Sequence, residues 1–186
     1  MERRTFLRWA VHGLGAVFGA VLGFPAVVYL IDPRNRPARE RGLRPVARLS
    51  ELTGVATEIV IRETRQDAWT LHPNEVVGRI WVVRRDGVDA QGRPNVEVFT
   101  TTCPHLGCSI NFTGRDFLCP CHGAHYELTG QAIRQERGRR IDNPAPRDMD
   151  TLEKKLEPVP GVPGDYVILV RYEKFKAMTE KKEPVA

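Results

Sequence analysis

The sequence predicts an all-β protein, with one N-terminal transmembrane helix ahead of an antiparallel β-sandwich. Three observations point there. A long apolar run, Val11 to Ile31, has His12 as its only strongly polar residue. From about residue 46, short β-branched and aromatic runs are separated by Gly, Pro and Asp turns. The 14 Pro and 16 Gly in 186 residues favour turns over helix in the main body.

The apolar run reads "VHGLGAVFGAVLGFPAVVYLI". At ~1.5 Å per residue, about 21 residues reach about 30 Å, the thickness of a hydrocarbon core. Trp9 and Tyr29 lie near its two ends, where amphipathic rings favour the interface. Pro25 is tolerable in a membrane helix. Ahead of the run, Arg3-Arg4-Thr5-Phe6-Leu7-Arg8 resembles a twin-arginine export signal, with Arg8 where the usual pattern has Lys. That route exports folded proteins, usually with a cofactor already inserted. No small-x-small cleavage site follows, so residues 1–31 are expected to be a signal and an uncleaved single-pass anchor. The head is then expected on the extracytoplasmic (periplasmic or outer) side of a bacterial cell membrane. Arg34, Arg36, Arg39, Arg41 and Arg44 follow the run, against Arg3, Arg4 and Arg8 before it. A plain positive-inside count would put the head inside. The twin-arginine signal takes precedence, because such signals tolerate basic residues after the apolar run.

The net charge of +5 does not indicate nucleic acid. Residues 1–44 hold eight Arg and three acids (Glu2, Asp32, Glu40), a net of +5, and the remaining 20 Lys+Arg and 20 Asp+Glu cancel. A basic excess confined to the flanks of one apolar segment is membrane and export signalling.

Residues 32–45, "DPRNRPARERGLRP", form a Pro/Arg-rich linker or hinge without apolar period. The head is expected over 46–176, with strands at Thr57–Glu63, Gly78–Arg85, Asn95–Thr102, Asp116–Cys119 and Asp165–Tyr172. Trp69, Trp81, Phe99, Phe117 and Tyr166 are assigned to its core. The polar run after Tyr172 is expected to fray, with 177–186 as a tail outside the domain.

All four cysteines lie in "CPHLGCSINFTGRDFLCPCHGAHY", Cys103 to Tyr126. "NFTGRD" has a turn's composition. A hairpin there would bring Cys103-x-His105 beside Cys119-x-x-His122. Two thiolates and two imidazoles suit a tetrahedral structural zinc. They equally suit a [2Fe–2S] centre with Cys₂ on one iron and His₂ on the other. Zinc leaves Cys108 and Cys121 unexplained. In an exported protein two spare thiols pair. A bridge closing ~13 residues contributes roughly 3 kcal/mol in the chain-entropy account. A thiol–disulfide enzyme is disfavoured, since neither half-motif has Cys-x-x-Cys spacing.

The stretch resembles the Rieske iron–sulfur signature, Cys-x-His-x-Gly-Cys followed by Cys-x-Cys-His-Gly-x-x-Tyr. "NPAPRD", Asn143 to Asp148, is similar to that family's proline loop, with Asn143 where Gly is usual. The resemblance implies a Rieske domain with a cluster-binding subdomain at about 100–147 and one [2Fe–2S] cluster. It implies Cys103 and Cys119 on one iron, His105 and His122 on the other, and a Cys108–Cys121 disulfide. It implies shielding by Leu106 on one side and by Pro144 and Pro146 on the other, and a Tyr126 hydroxyl that donates to a ligand sulfur. Many members place a serine where Ala124 stands, donating to a bridging sulfide. Its loss favours a low potential and a donor such as menaquinol.

The function so implied is the electron-transfer subunit of a quinol–cytochrome c oxidoreductase, partnered by cytochrome b and a c-type cytochrome. His122, with His105 sharing proton release, would meet the quinol. The alternative is a Rieske subunit of another exported oxidoreductase such as arsenite oxidase. A zinc-stabilised binding domain would share the four ligands but not the redox role.

Overall fold

The computed structural model describes residues 2–35, 42–67, 70–136 and 138–185. The chain divides into two compact units, Met1–Glu40 and Arg41–Ala186. The first is a single helix, α1 (Arg3–Asn35), which runs on through Pro25 and past Ile31. Its apolar side chains, Leu14, Phe18, Leu22 and Phe24 among them, are exposed. A helix apolar on all sides has lipid as its natural solvent. The linker expected over 32–45 falls partly outside the described residues, at 36–41; α1 continues to Asn35, and the first strand already begins at Arg44.

The second unit is built from antiparallel strands. In chain order these are β1 (Arg44–Arg48), β2 (Ala56–Asp67), β3 (Thr70–Val88), β4 (Pro94–Thr100), β5 (Asn111–Phe112), β6 (Phe117–Cys119), β7 (Ala124–Tyr126), β8 (Gln135–Glu136), β9 (Arg139–Arg140), β10 (Glu153–Pro158) and β11 (Tyr166–Arg171). They form sheets ordered β1-β11-β10, β2-β3-β4 and β5-β6-β7, with β8-β9 as a separate hairpin.

The middle sheet, β2-β3-β4, is buried on both faces, and strand periodicity shows why. Ile80 and Val82 of β3 join Val96 and Val98 of β4 and Ile168 and Val170 of β11 in one core. Val83 of β3 and Phe99 of β4 point the other way, into a second core with Ile110, Phe117, Cys119 and Tyr126. The run "IWVV" is therefore apolar without alternation because each face meets a layer. One core welds the sandwich; the other joins it to the small sheet β5-β6-β7. Half-buried Trp81 marks that junction, and its Nε1 donates to Ile110 O at 2.9 Å. Tyr166 packs at the edge of the first core, and Trp69 lies outside the described residues.

The expected fraying of the C-terminus is corrected. Residues Lys174 to Val185 close on themselves: Lys176 N–H donates to Glu183 O at 2.9 Å and Val185 N–H to Lys174 O at 2.8 Å. Phe175 packs at the first core, and Lys182 Nζ lies 4.5 Å from its ring centroid. Paired backbone and an anchored aromatic outweigh the polar composition that suggested fraying.

Gly130 follows β7 at φ 79°, and a Cβ there would lie 2.4 Å from a Phe99 ring carbon. Gly130→Ala is expected to lower the unfolding free energy by roughly 2–4 kcal/mol, the sum of overpacking and left-handed strain. Urea unfolding of the variant checks this.

Candidate metal centre

β4 leads straight into the first half of the motif. There Cys103-Pro104-His105-Leu106-Gly107 makes a turn closed by Gly107 N–H to Cys103 O at 2.9 Å. The second half repeats the device: Cys119-Pro120-Cys121-His122-Gly123 is closed by Gly123 N–H to Cys119 O at 3.1 Å. Both glycines have positive φ, 79° and 71°, which L side chains seldom adopt. In each turn a proline follows the cysteine; it fixes its own φ and restricts the cysteine before it. The antiparallel pair β6-β7 sets Cys119 opposite Ala124 and Phe117 opposite Tyr126, so the second turn caps a rigid hairpin.

The two turns are joined by a Cys108–Cys121 disulfide, Cα–Cα 6.6 Å across a separation of 13 residues. The other two cysteines, Cys103 and Cys119, are free and buried, at 0% and 1% exposure. The sulfurs of Cys108, Cys119 and Cys121 lie within 4.8 Å of one another, but two of those three are spent in the disulfide. The rings of His105 and His122 meet edge to face, centroids 4.7 Å apart. His105 is half-buried and His122 exposed. His105 Nδ1 is buried and has no hydrogen-bond partner among the described residues. Such an orphaned nitrogen costs free energy unless something coordinates it.

Two buried thiols, an orphaned imidazole nitrogen and a second imidazole alongside fit a metal group with mixed sulfur and nitrogen ligation. Burial pushes the Cys103 thiol up, against the opposing Tyr126 hydrogen bond. The bare thiol would therefore keep its proton, and metal must displace it to bind. Tyr126 Oη lies 3.3 Å from Cys103 Sγ. Burial first, then the neighbouring sulfur, raises the Tyr126 pKa, so the phenol keeps its proton beside the sulfur.

The proline loop lines the same core. Ala145 is buried in the cluster with Cys103, Cys119, Ala124 and Tyr126, while Pro144 and Pro146 are half-buried. Leu106 is 53% exposed, at the apex of the first turn. The departure at Asn143 has a structural role that the sequence did not disclose. Its Nδ2 donates to His125 O at 2.6 Å and Ile133 O at 3.1 Å, and its Oδ1 accepts from Ala145 N–H at 3.1 Å. Arg134 adds a bond to Ala145 O at 3.0 Å. The amide thus ties the proline loop to the end of β7. The only sequence signal for it was the replaced glycine.

A β-sandwich that holds two buried thiols and two imidazoles in disulfide-linked turns defines a mixed-ligand iron–sulfur protein. The model of the Rieske [2Fe-2S] domain matches residues 58–150, half of the chain, and the chain belongs to that family. It is 29% identical over 171 residues to the cytochrome b6-f complex iron-sulfur subunit of Chlorobaculum thiosulfatiphilum, covering 90% of this chain and 75% of the relative. It is 26% identical over 138 residues to the menaquinol:cytochrome c reductase iron-sulfur subunit of Bacillus subtilis (strain 168), covering 72% and 77%. A cytochrome b6-f complex iron-sulfur subunit of Parasynechococcus marenigrum (strain WH8102) is 30% identical over 138 residues, covering 72% of each chain. The protein is a membrane-anchored electron-transfer protein that carries a [2Fe–2S] cluster.

Removing the staple with Cys108→Ser and Cys121→Ser together is expected to cost roughly 3 kcal/mol of stability, from the length of the closed loop. Guanidinium unfolding of the double variant against the parent measures it.

Proposed function

We propose that this chain is the Rieske subunit of a membrane quinol–cytochrome c oxidoreductase, taking electrons from a low-potential quinol such as menaquinol and passing them to a c-type cytochrome. Cys103 and Cys119 hold one iron; His105 and His122 hold the other. The orphaned Nδ1 of His105 supports Nδ1 ligation, which leaves Nε2 outward. The cluster supplies a one-electron acceptor when bound. The carrying observation is the gradient of exposure: both thiols buried, His105 half-buried, His122 at the surface. Chemistry that must meet a separate quinol can reach only the imidazole end.

His122 would meet the quinol hydroxyl at its outward nitrogen, with His105 beside it; with the other nitrogen on the metal, that atom takes the quinol proton only after losing its own, as the imidazolate. Leu106, Pro144, Ala145 and Pro146 exclude water around the ligands. Tyr126 donates to Cys103 and stabilises the more negative, reduced state. Cytochrome b and c-type cytochrome subunits complete the assembly, a reading supported by the b6-f and menaquinol:cytochrome c reductase subunits among the relatives. The disulfide and the twin-arginine-like start support a head on the extracytoplasmic side.

Ala124 supports the low-potential donor. It is fully buried opposite Cys119, and its methyl can donate nothing. A lost bond to a charged acceptor, about 1.5–3 kcal/mol, corresponds to about 60–130 mV for one electron. Ala124→Ser is expected to raise the midpoint by that amount, and Tyr126→Phe to lower it, in EPR-monitored redox titration of membranes. Gentle solubilisation tests the assembly. The Rieske signal is expected to co-purify with b-type haem and to be reduced by menaquinol; co-purification with a molybdenum subunit instead would overturn the reading.

A further inference from the structure

We propose that the C-terminal segment Lys174–Val185 is a strap that positions the first turn of the metal site, with Arg147 as the residue that joins it to the proline loop. The proposal rests on the ligand assignment above. Arg147 follows Pro146, and its side chain is only 9% exposed. All five guanidinium N–H groups have acceptors. Nε and one terminal nitrogen donate to the two carboxylate oxygens of Asp150, each at 2.8 Å. That same terminal nitrogen donates to Lys176 O at 2.8 Å. The other donates to Thr179 Oγ1 at 2.9 Å and to Thr179 O. A guanidinium fork is suited to this bridging, and an ammonium is not.

The strap also reaches the first turn. Met178 N–H donates to Pro104 O at 2.9 Å. Pro104 is buried between Cys103 and His105, so this bond holds the backbone that aims both donors. Met178 takes a left-handed φ of 62° to make it, with its side chain left 62% exposed. An L residue adopts that conformation only where surrounding contacts impose it. Behind Arg147, Asp150 O accepts from Thr100 N–H at 2.9 Å, at the end of the strand that enters the first turn. Lys182 Nζ adds a bond to Thr151 Oγ1 at 3.3 Å. One polar segment thus grips both the first turn and the proline loop.

A purely structural strap would alter stability alone. A positioning strap also excludes water from the base of the site. Reduction adds a negative charge, which water stabilises, so loosening the strap raises the potential.

The test uses full-length protein in membranes against a chain ending at Phe175, which retains the packed aromatic and the Arg147–Asp150 pair. The truncated chain is expected to keep a mixed-ligand EPR signal, with its midpoint shifted upward. The Gly107 amide is expected to exchange at least about tenfold faster, as local opening becomes easier. An unchanged midpoint and exchange rate would overturn the proposal, as would a lower Tm with an unchanged midpoint. If the truncated chain fails to fold, Arg147→Lys decides. It keeps a charge for Asp150 but cannot span Lys176 and Thr179, and an unshifted midpoint there overturns the proposal equally. Absence of a mixed-ligand signal in the parent would instead refute the ligand assignment, leaving the failure of the two readings distinguishable.

Discussion

Two free thiols, Cys103 and Cys119, at 0% and 1% exposure impose the governing constraint on this head. A thiolate has no water to solvate it there, and it survives only beside cations and hydrogen-bond donors. The site's other features answer that demand. Burial raises the Cys103 thiol, the Tyr126 hydroxyl lies 3.3 Å from its sulfur, and His105 offers an unpaired nitrogen where metal charge would sit. Local chemistry and tertiary packing meet here, since the same core that dries the sulfurs also locks β5-β6-β7 onto the middle sheet through Phe99, Phe117 and Ile110.

Rigidity follows from repetition. Two five-residue turns, each beginning Cys-Pro and ending in a left-handed glycine, present the donors from opposite sides. The disulfide fixes one turn to the other, Asn143 fixes the proline loop to β7, and Arg147 fixes that loop to the C-terminal segment. Electron transfer benefits from such a frame, because donors that barely move between oxidation states waste little energy in reorganisation. The imidazole end is the exposed end of the site, with His122 at the surface.

The meeting of the two half-motifs was legible in the sequence because each is a short local run: Cys103-x-His105 and Cys119-x-Cys121-His122 need only one hairpin to come together. The middle strands were legible too, from "IWVV" and the alternation in "NVEVF". What stayed hidden depends on distant partners. β10, "EKKLEP", buries only Leu156 and has no apolar period to reveal it. Asn143 reads as a surface amide until the carbonyls of His125 and Ile133 arrive. The polar C-terminus looked frayed because its anchors, Arg147 and Pro104, lie 29 or more residues away in sequence. Trp81 was recognised as core, but not as the indole that ties β3 to Ile110, just ahead of β5.

Pulsed EPR of the reduced protein in membranes, with nitrogen couplings resolved, tests the central claim most directly. Two strongly coupled imidazole nitrogens are expected on a centre whose average g lies below the free-electron value, with one lost in His122→Cys. A folded, colourless protein holding stoichiometric zinc, or an iron–sulfur signal with no coupled nitrogen, would contradict the account.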